Sequence, residues 1–336
     1  MEQIRGKQSI EFEKPPFIEA FACVAGSKES EGPLAERIDE ICSDDLFGGK
    51  AWEEAESNMQ KRAVEILFAK SGDKPADVRY IFAGDLLNQL TATSYGVMSF
   101  DIPLFGLYGA CSTMGESIAL AAMTVAAGYA KKVIALASSH YASAEKQFRF
   151  PMEYGNQRPL AASWTVTGCG TVQLGKRKSD VCVKGITTGK VVDFGVHDSM
   201  NMGACMAPAA AELIYQNFMD FGVDATHYDK IITGDLGNVG KTILLDLLRD
   251  KGFDISTRYT DCGLEIYYPT QDVHAGGSGC GCSAVTLCAH IMQEMIKGQW
   301  KRVLFVPTGA LHSPTSYNEG KAVPGIAHGI ILERTW

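Results

Sequence analysis

The chain has 336 residues, with 31 Lys plus Arg against 39 Asp plus Glu for a formal net charge of −8, and 46% of it is hydrophobic. That composition can bury one large core or two compact halves and excludes a disordered chain. The acidic balance, with no basic cluster beyond Lys176-Arg177-Lys178, argues against a nucleic-acid partner.

Taken in order, the N-terminus carries no apolar run of signal-peptide length, and no stretch reaches the roughly 18 to 20 apolar residues of a membrane span. The ten cysteines are therefore expected as free thiols of a reducing compartment. Trp52, Ala55, Met59, Ala63, Ile66 and Leu67 recur at helical spacing, and Gly72 follows, which predicts a helix closed by glycine. Leu104 to Leu107 is a short apolar run, and Cys111 sits where it joins a helix of small and apolar residues, Ile118 to Ala127. The first-turn amides of such a helix lack partners, so a thiolate or a bound anion would be stabilised there. A small buried hydrophobe is the plainer reading of the same cysteine. Further on, Pro208 at a first turn predicts a helix through Phe221, closed by Gly222, and Lys241 to Lys251 a helix closed by Gly252. Gly276 to Gly281 is a weak nucleotide fingerprint, and Cys262, Cys280 and Cys282 lack the usual spacing of a metal site.

These elements are two diverged copies of one unit. Tyr80 to Asn88 recurs as Lys230 to Asn238 with Gly-Asp-Leu-x-Asn in both. Gly109 to Thr113 recurs as Gly279 to Ser283, Lys131 to Ser138 as Lys301 to Thr308, and Gly170 to Leu174 as Gly329 to Glu333. Short apolar runs alternating with helices predict an α/β fold of parallel strands and right-handed crossovers, in two pseudo-symmetric halves, 1–178 and 179–336. The first half carries a loop insertion, 140–163. Ligands of open α/β sheets bind beyond the carboxyl ends of the strands, which places a pocket where the two elbows meet. Asp85 and Asp235 stand at equivalent strand ends facing it. Such carboxylates repel an anion unless hydrogen bonds, a proton or a cation neutralise them.

The halves, the elbow Ala110-Cys111-Ser112 and the Gly-rich second elbow resemble the thiolase and ketoacyl-synthase fold, a layered α-β-α-β-α architecture. More narrowly, Gly84-Asp-Leu-Leu-Asn-Gln89, Gly109-Ala-Cys-Ser-Thr113, Ser138-Ser-His140, Gln147 to Gly155, Met206 to Ala211 and Gly276 to Cys280 resemble the stage V sporulation AD family of spore-forming bacteria, over nearly the whole chain. That resemblance implies a protein that binds dipicolinic acid, free or as its calcium chelate, with no further cofactor. It implies uptake of that ligand into the developing spore with membrane proteins of the same operon. The chain would sit on the cytoplasmic side of the forespore, held peripherally at the spore inner membrane, as a twofold dimer through Ile102 to Leu107. The expected ligand-binding residues are Cys111 and Ser112 at the elbow, Asp85 and Asp235 at the strand ends, and Ser278 in the second elbow. Ser139, His140, Arg149 and Tyr154 join them around the insertion, where aromatic and guanidinium groups suit a flat dianion.

The departures from the condensing enzymes of this fold are as informative. The loop that carries their catalytic His reads Gly234 to Asn238 and has none, and their next catalytic position falls among Ala275 to Ser278, small residues preceded by His274. A thiolate nucleophile needs a base or a positive neighbour, so non-catalytic binding is expected, with acyl transfer through Cys111 as the alternative.

Overall fold

The structure is a computed structural model that describes residues 3–148 and 157–336. Among the described residues, ten strands form the continuous path of a thirteen-stranded sheet. Five lie before residue 178: β1 (Phe17–Ala25), β2 (Tyr80–Gly84), β3 (Leu104–Gly106), β4 (Lys132–Ser139) and β5 (Gly168–Gly175). Five follow: β6 (Val181–Thr187), β7 (Lys230–Thr233), β8 (Tyr259–Asp261), β9 (Arg302–Val306) and β10 (Gly329–Arg334). Their order is β3-β2-β4-β5-β1 and then β6-β10-β9-β7-β8, the same arrangement twice, turned about the middle. β5 runs antiparallel to β1 and β4, and β10 to β6 and β9, while the outer three strands of each set are parallel. The two sets touch at one pairing, Cys182 with Phe17.

Side-chain alternation sorts the strands between three helical layers. In β4, Val133, Ala135 and Ala137 face a central cluster with α2 (Thr113–Ala126) and α6 (Cys280–Thr286). Ile134 and Leu136 face the opposite way, toward α1 (Trp52–Ser71). β9 repeats the pattern, with Val303 and Phe305 in the central cluster and Leu304 and Val306 against α4 (Met202–Phe221) and α5 (Gly237–Asp250). Five layers result, and strands buried on both faces explain why they read as unbroken apolar runs.

The glycine-closed end of α1 is as the sequence predicts, with Gly72 at φ 72°. Two helices start earlier than expected. α4 begins at Met202, capped by the Asn201 side chain, and holds Pro208 inside it, where the loss of one backbone hydrogen bond is outweighed by burial of Cys205, Met206, Ala207 and Ala209. α5 begins at Gly237 because Asp261, at the end of β8, accepts the Leu236 and Gly237 amides at 2.8 and 3.0 Å. That cap comes from another strand, so no local signal announces it. Among the described residues, no helix is long and apolar enough to cross a membrane.

Candidate functional site

After β3 the chain turns through Ala110–Ser112 into α2, with Ala110 in the left-handed region at φ 49°. Two contacts from the other half hold this elbow. The Cys280 thiol donates to the Ala110 carbonyl at 2.9 Å, and the strand Thr308–Ala310 lies so close that a Cβ on Gly309 would sit 2.2 Å from the Gly109 oxygen. Within the elbow, the Ser112 hydroxyl donates to the Gly109 carbonyl at 2.7 Å.

Cys111 lines the inner chamber formed there. Ser278 and Gly279 come to it from the second elbow, Met202 and Met206 from α4, and Glu145 and Phe148 from α3 (Tyr141–Phe148). Beneath lies Asp235, 2% exposed, accepting from the Ser278 hydroxyl at 2.7 Å, the Gly279 amide at 3.0 Å and the Thr308 hydroxyl at 3.0 Å. Burial pushes its carboxyl up to about 6 against the pull of those bonds. The Cys111 thiol lies against the same carboxylate, and burial together with that negative charge holds it well above the usual thiol range. At neutral pH it is a protonated thiol.

Tyr108, Phe148 and His312 line this chamber and also an outer vestibule walled by Leu87 to Leu90 and Ser313 to Thr315. The inner chamber offers about 60 Å³ and the vestibule about 380 Å³, and the three rings they share stand as the neck between them.

Of the residues singled out from the sequence, Cys111, Asp235 and Ser278 come together. Asp85 does not reach the chamber: it accepts from the Leu87 amide at 2.7 Å and from the Thr93 amide and hydroxyl at 2.7 and 2.6 Å, closing its own turn. Ser112 is spent inside the elbow. Ser139 donates to the Val166 carbonyl at 2.7 Å and accepts from the Gly281 amide at 2.9 Å, joining the strand end to the second elbow. His140 turns to a separate cavity beside Lys28, Trp52 and Trp164, with Nε2 donating to the Asp45 carbonyl at 2.8 Å and Nδ1 accepting from the Ala142 amide at 3.2 Å. Arg149 and Tyr154 lie outside the described residues. Sequence reasoning missed Tyr108, Glu145, Phe148 and His312. For His312 a signal existed: under the repeat it falls two residues beyond the position equivalent to His140, in the corresponding connection.

Solved structures share this course of the chain. A crystal structure of OleA from Xanthomonas campestris superposes with a TM-score of 0.61 at 10% identity, over 96% of this chain and 99% of its own. The Acat5 thiolase of Ascaris suum, solved with coenzyme A, gives 0.59 at 11%, over 96% and 100%. The 3-oxoacyl-[acyl-carrier-protein] synthase III of Aquifex aeolicus VF5 gives 0.57 at 11%, over 95% and 99%. The architecture is the thiolase fold, at identities that speak to the fold alone. The sequence narrows it further. The family model of stage V sporulation protein AD matches residues 6–333, and stage V sporulation protein AD of Bacillus subtilis (strain 168) is 43% identical over 332 residues, 99% of this chain and 98% of that protein. The chain belongs to the stage V sporulation protein AD family of sporulation proteins.

Proposed function

We propose that the chain is a non-catalytic binding protein for dipicolinic acid that serves its uptake into the developing spore. The observation that carries the reading is the carboxylate of Asp235 against Cys111, in the loop where condensing enzymes of the fold place a histidine. A carboxylate disfavours the thiolate that acyl transfer needs. What the chamber offers instead is a slot edged by aromatic rings and thioethers with a few hydroxyls, a lining suited to a flat heteroaromatic acid. Family membership supports the identity of that acid. In this reading Cys111, Ser278 and Asp235 form the floor of the ligand site, and Asp85, Ser112, Ser139 and His140 keep its frame.

Asp235 brings negative charge beneath the chamber, which supports the calcium chelate as the bound species, since Ca²⁺ cancels the charge of the dianion. The protein would act as a twofold dimer at the forespore side of the inner membrane, docked on membrane proteins of its operon. Calorimetry with dipicolinate, with and without Ca²⁺, is expected to show saturable binding of one ligand per chain, tighter with Ca²⁺. Intact-mass measurement after incubation with acyl-CoA donors is expected to show no adduct. Absence of binding in both titrations, or a stoichiometric acyl group lost on Cys111→Ala, overturns the reading.

A further inference from the structure

His312 stands in the neck, in the connection that follows Thr308–Ala310. It is 6% exposed, and among the described residues neither Nδ1 nor Nε2 has a hydrogen-bond partner. Its ring packs between Phe148, edge-on at 5.6 Å, and Tyr317, also at 5.6 Å. A buried polar group with no partner costs stability, and an apolar ring of the same shape would fill this place without that cost. Packing therefore does not account for an imidazole here. Cys111 and Ser278 line the inner chamber alone, whereas His312 lines chamber and vestibule both, so it faces whatever part of a ligand points back toward the opening.

We propose that His312 reads the second carboxylate of a planar dicarboxylic ligand, whose first carboxylate lies toward Ser278 and the elbow. This rests on the dipicolinate reading above and adds the group that distinguishes two carboxylates from one. Burial lowers the pKa of the ring, so it meets the ligand neutral, with one N–H to donate and one lone pair free. No existing bond has to break for that N–H to be given, and a hydrogen bond to a carboxylate is among the stronger kinds.

The test compares dipicolinate with picolinate, its single-carboxylate analogue, by calorimetry on the full chain and on His312→Phe and His312→Gln. His312→Phe is expected to lower dipicolinate affinity roughly tenfold to a hundredfold and to change picolinate affinity by no more than about twofold. His312→Gln, which keeps an N–H, is expected to recover part of the loss. Both variants are expected to melt with the wild type, or above it for His312→Phe, where an unpartnered polar ring has gone. The inference is overturned if His312→Phe binds dipicolinate like the wild type, if it loses both ligands equally, or if it melts far lower. Wild-type protein that binds neither ligand brings down the functional reading along with this one, whereas a wild type that prefers dipicolinate regardless of residue 312 brings down this one alone.

Discussion

One neighbour decides what Cys111 can do. An imidazolium beside a thiol lowers its pKa and makes a nucleophile, and a carboxylate does the reverse. With Asp235 in that place, alkylation of Cys111 by iodoacetamide, followed by peptide mass analysis, is expected to be slow at pH 7 and to rise about tenfold per pH unit above it. Asp235→Asn is expected to speed the reaction at pH 7. The two rates should converge below the Asp235 pKa of about 6, where the wild-type carboxyl has lost its charge. Equal rates at pH 7 would cut the link between these side chains. The sign for stability follows: the folded-state pKa of Asp235 lies above that of a free carboxyl, so its favourable contribution is present at acid pH and is lost as pH rises through about 6. The sequence shows Asp85 and Asp235 as equivalents, and as positions they are. Asp85 takes its donors from its own turn, Leu87 and Thr93, whereas Asp235 takes them from Ser278, Gly279 and Thr308, far along the chain. A repeated motif reveals where a side chain starts and not what the fold brings to meet it.

The strands were the most legible elements, because the copies of Gly-Asp-Leu-x-Asn mark the ends of β2 and β7 and everything else can be counted from them. Helix starts were less so, as the Asp261 cap on α5 shows. At the outer edge of the sheet, β3 pairs among the described residues on one side only, with β2, and leaves Leu104 and Phe105 exposed at 38% and 49%, with exposed Met98 lining the same surface hollow as Leu104. An apolar edge strand left open invites pairing with a second copy, and lysine on such an edge opposes it. The proposed dimer therefore predicts that light scattering gives twice the chain mass for the wild type at micromolar concentration, and that Leu104→Lys shifts it toward the monomer with little change in melting. A wild-type monomer removes the dimer.

At the scale of the molecule, the repeat suggests two units and the packing makes one. α6 belongs to the second set of elements but lies on the strands of the first, so close that a Cβ on Gly170 in β5 would fall 2.2 Å from the Ala284 carbonyl. The N-terminal hairpin crosses in the other direction: Ser9–Glu11 pairs with β6, and Asp220 on α4 accepts from the Lys7 and Gln8 amides and the Ser9 hydroxyl at 2.9, 3.0 and 2.8 Å. A fragment ending at residue 178 would keep α2 but lose α6 from the central face of β4 and β5, the face that includes Val133, Ala135, Val172 and Leu174. Residues 1–178 alone are expected to lack a cooperative melting transition by circular dichroism, and co-expression with residues 179–336 to restore one. A stable, cooperatively melting 1–178 fragment would show that the halves are independent.

The neck adds a matter of timing. Where Tyr108, Phe148 and His312 narrow the way between vestibule and chamber, the constriction stands equally in the way in and the way out. It slows capture and escape by one common factor and leaves their ratio, the dissociation constant, where the contacts inside set it. A chamber built this way keeps what it has taken for longer than its affinity alone would dictate.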